Sequence, residues 1–336
     1  MMFRCLNDNC GGITYLCGCG SIKFIPFRCH GRICPRCGKR YAEKWGRGLM
    51  DRFLSVPHRH VIFTLPRILW DVVKSNPGTL VNDMFEAAKT VILRLFNDRF
   101  KSLSVKPGII CLVHYTGRDM KYNPHLHMLV TEGGLTSKGL WKKHSFWPYS
   151  KMCAYWKYEV LKWFRFHMRH SLDVKAIIDH QQKQRFKDQT SGYVVKNYRD
   201  VVNVKDLGGY LARYVRHPPI GESRILAFDG EHIKIKYEWD NQMHLASIEI
   251  DDFIAALLSN IPPKGFKTVR QYGLYSNTLY LWACIKLTAA KYIPTTLDRY
   301  IPDLFKEEVI CPNCKGVMKP IVMDYLCHGR WQTKFL

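Results

Sequence analysis

The chain has 336 residues, 47% of them hydrophobic, and a formal net charge of +23. That length suits about two domains and that apolar content a real core, which excludes a disordered tail. The one-signed charge points to a polyanionic partner, nucleic acid above all, and the lack of an apolar run of helix-spanning length argues against a membrane protein.

The start, "MMFRCLNDNCGG", lacks the hydrophobic stretch and small-residue cleavage site of a signal peptide. A cytoplasmic, nucleoid-associated prokaryotic protein is therefore expected. In that reducing compartment thirteen cysteines argue for metal rather than disulfides. Seven lie in the first 37 residues. Cys17-Gly-Cys19 is followed by Cys29 and by Cys34-Pro-Arg-Cys37-Gly, a zinc knuckle whose turn converges two thiolates on one ion. The first choice for one structural Zn²⁺ is Cys17, Cys19, Cys34 and Cys37. Cys29 with Cys5, Cys10 or His30 completes a second site or replaces a ligand, so one or two zinc ions are expected. Arg32, Arg36, Lys39 and Arg40 make the knuckle basic, a solvated face that also suits phosphates.

Residues 61–65, "VIFTL", read as a strand ended by Pro66, and 79–103 as a helix with Leu80, Phe85, Ala88, Ile92, Leu95 and Phe96 at helical spacing. "GIICLVHYTG" reads as a second strand, joined through a short polar loop to "YNPHLHMLVTEGG", an antiparallel hairpin closed by Gly133-Gly134. Alternation places Leu126, Met128 and Val130 on one face of this last strand and His125 and His127 on the other. The plain reading is a half-exposed strand; the sharper one is two imidazoles aimed at one metal ion. His114, near the end of the preceding strand, is the natural third ligand, with Asp119 the alternative.

A basic aromatic helix follows at 155–170, where Trp156, Trp163, Phe164 and Phe166 alternate with Lys157, Lys162, Arg165 and Arg169. Its aromatics suit a core better than a base-stacking platform, while Lys162 and Arg165 are expected on a DNA backbone. The run "QQKQRFKDQTSGYVVKNYRD" reads as a loop or substrate arm. In "VKDLGGYLARYVRHPPIGESRI", Leu207, Leu211 and Val215 mark a buried helical stripe, and Pro218-Pro219 stops it. Tyr210 and Tyr214, four apart, stack on one helix face, with Arg213 and Arg216 among the expected DNA contacts. Residues 224–250 read as short strands with a turn at Asp229-Gly230, 251–259 as a short helix, and "IPPKGFKTVRQYGLYSN" as a Pro/Gly-punctuated basic stretch. Residues 277–292 suit a packed helix. The tail adds Cys311-Pro-Asn-Cys314, with Cys327 and His328 as possible partners in a second zinc site.

These parts together suit an enzyme that cuts one DNA strand and keeps the energy of the broken bond. A tyrosine is a poor nucleophile near neutral pH, since its pKa is about 10. A cation held by imidazoles compensates by polarising the scissile phosphate. Two tyrosines one helical turn apart allow two sequential cleavages.

His125-Leu126-His127 fits the histidine-hydrophobe-histidine motif of HUH single-strand endonucleases. Together with the cysteine-rich start and the tyrosine-x-x-x-tyrosine helix, the chain resembles the rolling-circle transposases typified by insertion sequence ninety-one. The stretches that carry the resemblance are "FRCHGRICPRCGKR", "HVIFTLP", "NPHLHMLVTEGGL", "GGYLARYVRHPPIGESRI" and "KGFKTVRQYGLYS", with Cys311-Pro-Asn-Cys314 in the tail. The resemblance implies an α+β fold: an HUH core of antiparallel sheet with packed helices, an N-terminal zinc-binding segment and a small Cys-containing tail. It implies Mg²⁺ or Mn²⁺ on His125 and His127, and Tyr210 and Tyr214 as nucleophiles. The implied partners are single-stranded and end-hairpin DNA of a mobile element and a target DNA, with oligomeric state open. Cys17-x-Cys19 is tighter than the family's commoner spacing, which leaves the zinc pairing open. The expected divisions are 1–50, zinc-binding and DNA-contacting; 51–222, nuclease; 223–304, a β/α DNA-binding accessory region; and 305–336, the tail. Competing readings are a plasmid or phage rolling-circle replication initiator and a non-catalytic zinc-dependent DNA-binding protein.

Overall fold

A computed structural model describes residues 5, 11–29, 31, 34–38, 40–41, 54, 56–183, 192–201, 219–289, 309–327 and 330–335. In chain order these residues form β1 (Gly11–Leu16), β2 (Ile22–Pro26), β3 (His58–Thr64), α1 (Trp70–Ser75), α2 (Pro77–Phe100), β4 (Lys106–Thr116), β5 (Tyr122–Leu135), β6 (Trp141–Lys143), α3 (Tyr149–His167) and α4 (Leu172–Lys183). Then follow β7 (Val195–Val201), β8 (Ile225–Phe228), β9 (His232–Trp239), β10 (Gln242–Glu249), α5 (Ile250–Ser259), β11 (Val269–Gly273), α6 (Asn277–Ala289), β12 (Val309–Ile310), β13 (Val317–Cys327) and β14 (Arg330–Phe335). The fold is mixed α/β with antiparallel sheets. Among the described residues, no helix is long and apolar enough to cross a membrane.

The central sheet runs β11-β4-β5-β3-β7, with β6 added to the end of β5. β5 lies between β4 and β3, so both its edges are hydrogen-bonded. Its alternation decides what each face does. Leu126, Met128 and Val130 join Val61 and Phe63 of β3 and Ile109, Cys111 and Val113 of β4 in the main core. α2 and α3 cover this face. α2 starts at Pro77, where the missing N–H costs nothing. It then buries Leu80, Met84, Phe85, Ala88, Ile92, Leu95 and Phe96 at helical spacing. From α3, Trp156 reaches the sheet: its Nε1–H donates to the Thr64 carbonyl at 2.6 Å and its ring meets Phe63 edge-on at 5.1 Å. The opposite face carries a second, smaller core of Leu54, Val56, Ile110, Leu112, Leu129, Leu135, Leu274, Tyr275 and residues of α6.

Several expectations change in the folded chain. The stretch 181–200 is not all loop: it holds the end of α4 and β7, which extends the sheet beside β3. The basic stretch after 260 contains β11, which pairs with β4. That strand and α6 tie the expected accessory region 223–304 into the central unit. Gly133-Gly134 does not end its strand, which runs to Leu135. A Cβ on Gly134 would lie 2.4 Å from the Lys106 carbonyl oxygen, and one on Gly133 2.6 Å from that of Lys142. The glycine pair therefore lets β4 and β6 close in on β5 from both sides.

The other sheets stand apart in the chain. β8, β9 and β10 make a three-stranded meander, its second turn at Asp240 and Asn241, both with positive φ. β1 pairs with β2 and, across the whole chain, with β13. The expected tail and the expected N-terminal segment thus share one sheet, ordered β12-β13-β1-β2 with β14 on β13.

Candidate functional site

The register of the central strands assembles a histidine cluster. His125 of β5 lies opposite His114 of β4, and His127 lies opposite Leu112 and Ile62. Residues directly opposite share a face, so all three imidazoles project on the side away from α2 and α3. Their ring centroids are 4.5 to 5.5 Å apart. One nitrogen from each lies within 4.8 Å of the others. The second core covers this face beyond Leu129, which leaves His127 buried and His114 and His125 half-buried. The side-chain nitrogens thus converge at the margin of the covered region.

Hydrogen bonds orient the rings. His125 Nδ1 is 2.6 Å from the Asn123 carbonyl oxygen. A carbonyl only accepts, so Nδ1 carries the proton and Nε2 keeps its lone pair. His127 Nδ1 lies 2.9 Å from Nε2 of His60 on β3. Burial holds His125 below the usual imidazole range and His127 well below it, the latter with help from the neighbouring histidines. Burial likewise takes His60 down to about 3. Neutral imidazoles are what a metal requires. The donor set therefore fits a divalent cation with part of its coordination sphere left open.

The alternative ligand Asp119 is not in this cluster. It sits in the β4–β5 turn, where its Oδ1 accepts from the Lys121 amide at 3.2 Å. Sequence reasoning missed His60, although the signal was there: His58-x-His60 repeats, on the neighbouring strand, the spacing of His125-x-His127. His58 faces inward as well, its Nε2 2.5 Å from the Tyr275 hydroxyl.

The cysteines sort into two sets of four, each with sulfurs within 4.8 Å of one another. One is Cys5, Cys29, Cys34 and Cys37; the other is Cys17, Cys19, Cys311 and Cys314. The expected quartet of Cys17, Cys19, Cys34 and Cys37 does not form. Both pairs find other partners because β13 carries the tail knuckle to β1. Sulfur separations in the first set include 3.4 Å for Cys5–Cys37 and 3.8 Å for Cys29–Cys37. A tetrahedron of Zn–S bonds of about 2.3 Å has edges of about 3.8 Å, so both sets fit zinc. Cys111 and Cys284 are buried thiols in the two cores, and Cys153 is half-buried.

The expected DNA contacts divide. Arg36 forks onto Glu222 at 3.0 and 3.1 Å and donates to the Cys5 carbonyl at 2.9 Å, fastening the knuckle to the segment before β8. Arg165 of α3 pairs with Asp179 of α4. Lys162 is more exposed and lies 3.7 Å from Glu159. Arg40 is half-buried. On α3 the core reading of the aromatics holds for Trp156 and Phe164, which are fully buried, while Phe166 is exposed. Tyr210, Tyr214, Arg213, Arg216, Arg32, Lys39, Cys10, His30 and His328 lie outside the described residues.

Residues 108–280 match a family described as "Putative transposase", and residues 1–65 match one described as "Transposase zinc-binding domain", of the IS91 type. The transposase for insertion sequence element IS801 of Pseudomonas savastanoi pv. phaseolicola is 27% identical over 295 residues, 82% of this chain and 69% of that protein. A protein of Sinorhizobium fredii (strain NBRC 101917 / NGR234) named "Putative transposase y4qJ" is 23% identical over 294 residues, 81% of this chain and 72% of its own length. No solved structure matches the chain. The first of the family matches spans half of the chain, so the chain belongs to that transposase family, with an IS91-type zinc-binding domain matched over its first strands, and is a DNA transposase.

Proposed function

We propose that this transposase nicks and rejoins single-stranded DNA through 5′-phosphotyrosine intermediates, on an HUH-type core, in rolling-circle transposition. The observation that carries the reading is the cluster of His114, His125 and His127 on the inner strands of an antiparallel sheet. His125 is oriented by the Asn123 carbonyl so that its Nε2 is available as a ligand. These three side chains would hold Mg²⁺ or Mn²⁺, which when bound supplies Lewis acidity toward a phosphate oxygen.

Tyr210 or Tyr214 supplies the nucleophilic oxygen. Its attack on phosphorus forms the tyrosine–phosphate bond, breaks the bond to the leaving 3′ oxygen, and frees a 3′ hydroxyl. Rejoining reverses this: a 3′ hydroxyl attacks the phosphotyrosine and the tyrosine oxygen leaves. A second tyrosine lets one strand end be held while another is cut. The end-hairpin and target DNA would be held through phosphates by Arg32, Lys39, Arg40, Lys162, Arg213 and Arg216, while Arg36 and Arg165 are already paired with Glu222 and Asp179. The Cys5, Cys29, Cys34 and Cys37 set holds structural zinc beneath the basic knuckle.

The test is a denaturing gel of protein incubated with single-stranded DNA and Mn²⁺. A covalent adduct is expected, lost in the Tyr210→Phe/Tyr214→Phe double variant. An undiminished adduct in that variant rejects the tyrosines. His125→Ala/His127→Ala should abolish cleavage and leave salt-sensitive DNA binding in place; retained cleavage would move the metal elsewhere.

A further inference from the structure

The zinc-binding match ends at residue 65 and contains Cys17 and Cys19 but neither Cys311 nor Cys314. The fold brings these two pairs together from positions almost 300 residues apart: Cys17 Sγ lies 3.3 Å from Cys314 Sγ, and Cys19 Sγ 3.6 Å from Cys311 Sγ. The approach is no accident of loose segments. β1 ends at Leu16, one residue before Cys17, and pairs with β13 through Leu16 opposite Lys319. β13 in turn begins three residues after Cys314 and pairs with β12, which ends one residue before Cys311. Two tight turns are thus delivered to the same corner of one sheet.

Each turn is built as a knuckle. In the first, the Cys17 amide donates to the Ser21 carbonyl and the Gly20 amide to the Cys17 carbonyl. In the second, the Cys311 amide donates to the Gly316 carbonyl and the Lys315 amide to the Cys311 carbonyl, with Lys315 in the left-handed region at φ 62°. In that turn the backbone amides of Asn313 and Cys314 face the Cys311 sulfur. The two knuckles are also stitched to each other. Asn313 Nδ2 donates to Ser21 Oγ at 2.9 Å, and Ser21 lies 3.1 Å from Cys19 Sγ. Beneath the sulfurs, Met318, Tyr15 and Val309 close a small apolar floor with Cys17 and Cys311.

We propose that Cys17, Cys19, Cys311 and Cys314 bind one zinc ion that clasps the N-terminal zinc-binding segment to the C-terminal tail. Four soft thiolate donors in a closed set, on two knuckles, leave no position for substrate, so the site is structural rather than catalytic. The thiol protons are released to solvent on binding. The clasp adds a metal cross-link to the closure that the β1–β13 pairing makes. It makes the tail part of the zinc-binding domain, and it is independent of the tyrosine and histidine chemistry.

Two measurements on the full chain test it. The first is metal content. The wild-type protein is expected to hold two zinc ions per chain, falling to one in Cys311→Ser/Cys314→Ser and also to one in Cys34→Ser/Cys37→Ser. Cys314→His should keep both. The second uses unaltered protein and so does not depend on a variant folding. Cys19 and Cys314 are exposed as bare side chains, so only a bound ion would shield them from a maleimide. Both should resist labelling in the zinc-loaded protein and become reactive together on chelation. Wild-type zinc content in Cys311→Ser/Cys314→Ser, or a Cys314 labelled equally fast with and without chelator, overturns the clasp.

Discussion

His60 and His58 show how two residues of the same type on one strand take different work from their neighbours. His60 Nε2 faces His127 Nδ1, so it can accept the proton that fixes the His127 tautomer and frees Nε2 for a metal. Removing such an outer partner commonly weakens a metal site by about 10–100-fold. His60→Ala is therefore expected to weaken Mn²⁺ binding by that factor, measured by calorimetric titration, and to leave DNA affinity in chelator unchanged. His58 instead bonds the Tyr275 hydroxyl in the second core, and burial takes its pKa down to about 3. In the unfolded chain it titrates near 6.5. Between these values the unfolded state binds the extra proton, so the stability is full above pH 6.5 and is lost progressively as pH falls toward 3. Urea midpoints at pH 7 and pH 5 should differ for the wild type and differ less for His58→Gln.

At the scale of elements, the seam between α3 and β3 and the glycine pair of β5 are the sensitive points. Trp156 is fully buried, holds the Thr64 carbonyl and packs on Phe63. Trp156→Ala should cost about 3–5 kcal/mol in urea unfolding. Because Thr64 lies opposite His125, the same variant should also lower cleavage more than DNA binding. Gly134→Val places a side chain against the Lys106 backbone and should separate β4 from β5, with an early-melting sheet seen by hydrogen exchange across 106–116. Helices and buried hairpins were legible as sequence because their apolar periodicity is strong. β7 and β11 were not: both are short, carry polar and basic residues, and become strands only because β3 and β4 offer them an edge.

For the whole molecule, charge and topology act together. A net charge of +23 supports DNA binding of any sequence, and its salt dependence counts phosphate contacts. Lys162→Gln should lower the slope of log affinity against log salt by about 0.7 on single-stranded DNA. Arg36→Gln should act on stability as well, because Arg36 already bridges the knuckle to Glu222. Both ends of the described chain meet in one sheet. Cutting the chain before β12 should therefore destabilise the zinc-binding segment, read as faster proteolysis of residues 11–26, and should not by itself remove the histidine cluster.

The donor pattern of the candidate site was legible in one dimension. His125 and His127 share a strand face because side chains alternate, and Cys-Pro-x-Cys spacing announces a knuckle wherever it occurs. Such local rules need only near neighbours. The sequence also offered His114, near the end of the preceding strand, with Asp119 the alternative, and the strand register sets His114 opposite His125. What only the tertiary structure decided was partnership across distance. Cys17 and Cys19 meet Cys311 and Cys314 rather than Cys34 and Cys37, and His60 stands behind His127, because strands far apart in the chain pair by backbone hydrogen bonds that no side-chain pattern encodes.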